Sequence, residues 1–130
     1  YSHSALFDFY RKKRVVQEIR KTDELINSIC GESPVLFRPP FGVTNPSIRR
    51  AIAETSHKVI GWNIRSLDGI LKDEDLIFKR VVRRVSPGSV ILLHDTSVST
   101  VYILEKLLVF LANQHYTIVP LAQLLDIHED

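Results

Sequence analysis

His94 and Asp95 stand directly behind the apolar run Ser89-Val90-Ile91-Leu92-Leu93. Consecutive bulky aliphatic residues read as a buried strand, and in proteins of alternating strands and helices the C-terminal strand end is where catalytic side chains are displayed. An imidazole there can give or take a proton near neutral pH, and a neighbouring carboxylate can hold its ring in one tautomer. The same pair also suits a plain strand end, with His94 packed and Asp95 opening the next helix as its N-cap. Two further strand ends carry polar groups of this kind: Arg38, followed by Pro39-Pro40-Phe41, and Asp68 in Ser66-Leu67-Asp68-Gly69. Adjacent parallel strands bring such ends within side-chain reach, so Arg38, Asp68 and His94 are expected on one face. There Asp68 can orient His94, and an arginine can keep a carboxylate charged. An Arg–Asp ion pair tying two loops together would use the same residues. In a shared site, Asp68 and His94 lie within roughly 8 Å of each other, the reach of a water bridge.

Periodicity and punctuation outline the elements that must position these residues. From about Phe9 to Cys30, Val15, Val16, Ile19, Ile26 and Ile29 recur at helical spacing, and Gly31 stops the helix. Val35-Leu36-Phe37 is a short strand that ends at Pro39 and Pro40, which cannot donate to a ladder. Asn45-Pro46 places an N-cap before a proline at the first helical position and starts a helix through Thr55. Lys58 to Ile64 reads as the next strand, with Asp73 capping a helix to about Val85 and Pro87-Gly88 ending it. Ser89 to Leu93 is the third strand. A helix opening at Ser97 or Ser99 runs through Leu104, Leu107, Leu108 and Leu111, Tyr116 to Val119 is a fourth strand, and Leu121 to Ile127 a terminal helical turn. Strands alternating with helices imply parallel strands joined by right-handed crossovers, an α/β fold of βα repeats. Such a short series of strands cannot close a barrel, which needs about eight. The chain is therefore expected to be a piece of a barrel or a short open sheet.

Composition narrows the class. The 130 residues are 45% hydrophobic, which excludes a disordered chain, and no apolar stretch approaches the ~20 residues needed to span a bilayer. The segment Val101 to Ala112 is interrupted by Glu105 and Lys106 and reads as an amphipathic helix. Net charge is only +2. The clusters Arg11-Lys12-Lys13-Arg14 and Lys79-Arg80 with Arg83-Arg84 lie in helical patterns that bury Val15, Ile19, Val81 and Val85, so solvated faces are expected and no nucleic-acid partner. The single cysteine, Cys30, forms no internal disulfide. The chain opens at Tyr1 without methionine or a charged-then-apolar targeting segment, and is expected to be a piece of a longer protein.

Arg38-Pro39-Pro40-Phe41, then Gly61-Trp62 with Ser66-Leu67-Asp68, then Leu92-Leu93-His94-Asp95 resembles the second half of a polysaccharide deacetylase, the NodB-homology family or carbohydrate esterase family 4. The resemblance covers the whole chain, order included. Tyr1-Ser2-His3 looks like the last three residues of the family's metal-binding His-(Ser/Thr)-x-x-His segment, whose first histidine would lie two residues before the chain begins. Taken alone, His3 reads at least as well as an exposed terminal histidine; beside the other motifs the ligand reading is the expectation.

The resemblance implies part of a distorted (β/α) barrel whose N-terminal part, with an Asp-Asp motif, is absent from these residues. It also implies a divalent metal, usually zinc, held by an aspartate and two histidines, whose bound water attacks an N-acetyl (or O-acetyl) group of a glycan. Carried over residue by residue, His3 would be a metal ligand, and Arg38 would hold the catalytic aspartate. The Phe41 backbone N–H, in the loop fixed by Pro40, would stabilise the oxyanion. His94 would protonate the leaving amine with Asp68 orienting it, Leu93 would line the acetyl pocket and Trp62 the substrate side. Phe41 stands where the family often has tyrosine. Gly69 stands where it has tryptophan, which removes a wall of the groove and puts substrate preference in doubt. With one expected metal ligand present, the chain by itself is expected to be an inactive piece that leaves the metal site unoccupied. A non-catalytic glycan- or partner-binding domain of the same ancestry is the alternative. The family points to the cell envelope or exterior; the sequence does not exclude the cytoplasm.

An interrupted barrel also exposes strand edges and inward-facing side chains among Val35, Phe37, Val59, Ile91 and Leu93. Burying each such side chain is worth about 1.5–3 kcal/mol, so the isolated chain is expected to self-associate through strand edges and the exposed interior. Sedimentation at micromolar concentration checks this, and a clean monomer would mean that these residues close their own core.

Overall fold

Helix α1 (Lys12–Cys30) forms where apolar residues return every three or four positions, and its buried stripe is Val15, Val16 and Ile19. Gly31 closes it as the spacing predicts: at φ 72° its N–H donates to the Asn27 carbonyl at 2.8 Å, a left-handed cap that glycine adopts without a Cβ penalty. The computed structural model describes residues 1–95 and 97–126. It divides into two compact units, Tyr1–Gly61 and the residues from Trp62 onward.

The first unit contains a 3₁₀ turn (Phe7–Phe9), α1, strand β1 (Leu36–Phe37), helix α2 (Pro46–Thr55) and strand β2 (Lys58–Val59). Asn45 caps α2 from both sides of its amide. Its Oδ1 accepts the Ile48 N–H at 3.0 Å, and its Nδ2 donates to the Asp8 carbonyl at 2.7 Å, tying the helix start to the 3₁₀ turn. Strands β1 and β2 are parallel, Leu36 opposite Lys58 and Phe37 opposite Val59, with α2 as the crossover. Phe7, Val15, Val16, Ile19, Ile48 and Ala51 form one core, with Tyr10, Phe37 and Ile52 packed against it. Glu54 of α2 also meets Lys12 and Arg20 of α1, at 2.6 and 3.7 Å.

The second unit repeats the theme with strand β3 (Ile64–Arg65), helix α3 (Glu74–Val82), strand β4 (Ile91–Leu92), helix α4 (Val98–Asn113) and the short helix α5 (Leu121–Leu124). Asp73 caps α3, its Oδ1 accepting the Leu76 N–H at 2.9 Å. Strands β3 and β4 are parallel, Ile64 opposite Ile91 and Arg65 opposite Leu92. Their core is Ile64, Val81, Leu107 and Leu111, joined by half-buried Ile91, Leu93, Phe110 and Tyr116. The architecture is α/β with parallel strands, as the alternation implies.

Several sequence expectations need correction. The expected strand Lys58–Ile64 is two strands with different partners, because Gly61-Trp62-Asn63 interrupts it and the Asn63 side chain itself accepts the Val90 N–H at 2.8 Å. Tyr116 to Val119 is not a strand among the described residues; the Tyr116 N–H is spent on the Leu111 carbonyl at the end of α4, at 2.9 Å. Helix α1 starts at Lys12 rather than near Phe9, and Ile29, read as core, is 73% exposed. The terminal helical turn ends at Leu124, and Ile127 lies outside the described residues. Among these residues no helix is long and apolar enough to cross a membrane.

The double role of Asn45 is measurable. Asn45→Ala should destabilise the protein by about 1–2 kcal/mol, the upper range for loss of an N-cap, and Asn45→Asp, which keeps the cap acceptor but not the amide donor, by less. Denaturant unfolding of the two variants checks the order.

Candidate active site

In the second unit β3 leads into Ser66-Leu67-Asp68. Leu67 takes a left-handed backbone at φ 68°, unusual for a branched side chain, and this bend folds Ser66 and Asp68 onto each other. The Ile70 and Leu71 N–H groups both donate to the Leu67 carbonyl, at 3.0 and 2.9 Å, and hold the turn. Asp68 is buried there with four donors on its two carboxylate oxygens. Ser66 Oγ–H and His94 Nδ1 meet Oδ1 at 2.6 and 2.7 Å. The His94 backbone N–H and Thr100 Oγ1–H meet Oδ2 at 2.7 and 2.8 Å.

Burial alone would raise the pKa of this carboxyl. The hydrogen bonds from Ser66, from the ring and backbone of His94 and from Thr100 outweigh it and bring the value from 3.8 down to about 2. An ionised Asp68 accepts only, so the ring nitrogen facing it carries the proton, and Nε2 of His94 is the atom left for other partners. The His94 side chain is 42% exposed. Beside it, a Cβ built on Gly69 would lie 3.5 Å from Nδ1, in ordinary van der Waals contact, so any side chain at position 69 covers part of the ring. Trp62 is half-buried. Leu93 lines an apolar cavity of about 260 Å³ with Ile91, Leu107, Leu108 and Tyr116.

In the first unit β1 runs into a tight turn. The Gly42 N–H donates to the Pro39 carbonyl at 2.9 Å, with Pro40 at the first central position and Gly42 at φ 69°. The turn's hydrogen bond leaves the Phe41 N–H outside it. Phe41 is exposed, and its ring meets that of His3 edge-on, centroids 6.0 Å apart. Arg38 is exposed at the end of β1. Before His3, Ser2 is anchored by Glu18, a buried carboxylate of α1 that accepts its N–H and Oγ–H at 2.7 and 2.6 Å and meets Arg14 at 3.3 Å. The Ser2 hydroxyl, followed by its N–H and by Arg14, holds Glu18 below the usual carboxylate range despite burial.

The structure thus brings Asp68 and His94 into direct hydrogen bonding, far inside 8 Å, and sets His3 beside Phe41. Among the described residues no three His, Cys, Asp or Glu side chains come together as a metal site. The described residues therefore do not complete a zinc site by themselves, since such a site takes at least three protein ligands. Sequence reasoning missed Ser66 and Thr100 as partners of Asp68. The signal for Thr100 was a hydroxyl on the buried stripe Thr100, Ile103, Leu107 and Leu111 of α4.

Parallel βα units that bury a carboxylate behind an imidazole at their strand ends define an α/β protein of the βα-repeat class. Residues 1–60 match the family model described as polysaccharide deacetylase, and most of the chain is similar to peptidoglycan deacetylases. It is 28% identical over 112 residues to the peptidoglycan-N-acetylmuramic acid deacetylase PdaC of Bacillus subtilis, covering 86% of this chain and 23% of that protein. The solved structure of PdaC aligns with a TM-score of 0.89 at 27% identity, over 98% of this chain and 61% of the other. A peptidoglycan-N-acetylglucosamine deacetylase of Bacillus cereus is 32% identical over 100 residues, 74% of this chain and 34% of its own length. A carbohydrate esterase family 4 pseudoenzyme from Bacillus anthracis shares the fold, with a TM-score of 0.85 at 24% identity, over 98% of this chain and 44% of the other. The chain thus spans about a quarter to a third of the length of these curated relatives.

The depressed Asp68 carboxyl gives stability a defined pH dependence. Its contribution is fully present above about pH 4 and is lost as pH falls through about 2, because only the unfolded chain binds the proton in that window. A shift of this size corresponds to about 2 kcal/mol. Unfolding free energies of wild type and Asp68→Asn should converge as pH falls from 4 to 2, a trend that acid titration of the two proteins checks.

Proposed function

We propose that this chain is part of a hydrolase that removes N-acetyl (or O-acetyl) groups from a polysaccharide or amino sugar. The observation that carries the reading is the Asp68–His94 pair: a buried, saturated carboxylate that fixes the Nδ1 proton and leaves Nε2 of an exposed imidazole for substrate. In this reading water adds to the acetyl carbonyl, and His94, as the imidazolium, gives its Nε2 proton to the leaving amine as the C–N bond breaks, releasing acetate and the free amine. Asp68 does not take up a proton; every acceptor position on its oxygens is occupied, so it orients the ring and balances the charge of the imidazolium. The Phe41 N–H, left outside the turn that Pro40 sets, is the oxyanion donor. A backbone group needs the turn rather than a particular side chain, so phenylalanine in place of tyrosine is compatible with the role. Arg38 holds a carboxylate supplied by the rest of the protein. Leu93 receives the acetyl methyl, and Trp62 lies along the sugar. The substrate class rests on the relatives, whose names specify peptidoglycan.

A divalent metal of the zinc type belongs to this proposal, with His3 as one imidazole ligand. Its other ligands would come from polypeptide outside these residues, and no step above is routed through the ion. A second reading, a non-catalytic glycan-binding domain of the same fold, is favoured by Gly69, which leaves open the ring face that a tryptophan would cover.

One comparison separates them. In the full-length protein, His94→Ala should lower kcat for acetate release from an acetylated glycan by ~10²–10⁴, the usual worth of general acid–base catalysis. Unchanged turnover removes His94 from its role. A wild-type protein that retains the glycan without releasing acetate decides for the binding domain.

A further inference from the structure

We propose that Thr100 is a positioning residue for His94, acting through Asp68 from the first turn of α4; the assignment rests on the reading of His94 as proton donor. Three of the donors on Asp68 come from its own turn or from the residue it orients: Ser66 Oγ–H, His94 Nδ1 and the His94 N–H. Thr100 Oγ1–H, at 2.8 Å from Oδ2, is the contact that reaches the carboxylate from a helix. It is buried, and its place is set by Ile103, Leu107 and Leu111 on the same stripe, so the hydroxyl has little freedom to turn away.

The helix adds a field of its own. Thr100 sits in the first turn of α4, where its N–H donates to the carbonyl of the N-cap residue Ser97 at 3.1 Å. Ser97 makes no side-chain cap, and Asp68 brings a negative charge to that turn, where the helix dipole favours an anion. The hydroxyl also decides which way the carboxylate plane faces. A carboxylate held at one oxygen alone can rotate about its Cβ–Cγ bond, whereas one held at both oxygens from Ser66 on one side and α4 on the other cannot. With rotation blocked, Oδ1 stays on Nδ1 of His94, and the ring stays in the tautomer whose Nε2 faces outward. Loss of the Thr100 hydroxyl leaves Oδ2 held only by the N–H of the residue that Asp68 itself orients, so the carboxylate loses its anchor to α4 and can shift together with the imidazole.

The test uses full-length protein with Thr100→Val, which keeps shape and removes the donor, and Thr100→Ser, which keeps the donor. In wild type the ¹⁵N resonances of the His94 ring should show the proton fixed on Nδ1. Thr100→Val should shift this toward a mixture of tautomers and lower kcat about tenfold or more at little change in KM, the usual scale for losing a charge-assisted bond to an orienting carboxylate. Thr100→Ser should recover most of both. A ring spectrum in Thr100→Val that matches wild type, or Thr100→Ser as impaired as Thr100→Val, overturns the proposal. His94→Ala measured alongside keeps the two readings apart. If His94→Ala loses turnover while Thr100→Val retains it, Thr100 is excluded and the acid role of His94 stands. If His94→Ala retains turnover, the acid role falls, and the ring spectrum of Thr100→Val still decides whether Thr100 positions the imidazole.

Discussion

A buried carboxylate is the constraint around which the second unit is arranged. Taking an ionised group out of water costs several kcal/mol unless its oxygens are hydrogen-bonded, and Asp68 meets this requirement by drawing on separate stretches of chain. Ser66 comes from its own turn, His94 from the end of β4, and Thr100 from α4. None of the three could be displaced without leaving a charged oxygen short of a partner. The strand end, the following loop and the start of the next helix are therefore fixed by the same group that orients the imidazole. Stability and the orientation of the imidazole are served by one set of hydrogen bonds.

The first unit assigns its expected role to backbone rather than side chain. Pro40 and the left-handed Gly42 shape a turn that spends the Gly42 N–H and leaves the Phe41 N–H to other use. Glu18 does the comparable work for the neighbouring segment. A buried acid on α1 takes both polar groups of Ser2 and so anchors the chain next to His3. In both places the residue that matters most for geometry sits beside the one expected to do chemistry.

Helices were legible because they are long enough for a pattern to repeat. Val15, Val16 and Ile19 set the face of α1, and Gly31, Asn45 and Asp73 mark ends by backbone demands that no other part of the fold can override. Strands were legible only as places. Each is two residues long, and whether Lys58–Val59 continues to Ile64 depends on the Asn63 side chain taking a ladder position, while Tyr116–Val119 fails for want of a partner among the described residues. At the site, Asp68 and His94 were legible as polar residues at strand ends. Ser66 and Thr100 were not, because a serine in a turn and a threonine in a helix are ordinary until the carboxylate between them is seen.

The separation of these partners along the chain also says when the site comes into being. The Leu67 turn is strained, and the donors that repay the burial of Asp68 arrive 26 and 32 residues later, with His94 and Thr100. A loop of that length must close before the contacts can form, and closure entropy is lost before the hydrogen bonds return anything. Until β4 and the start of α4 are in place, Asp68 lacks those partners. The Asp68–His94 pair is a late product of folding, assembled after the α3 crossover has brought β4 beside β3.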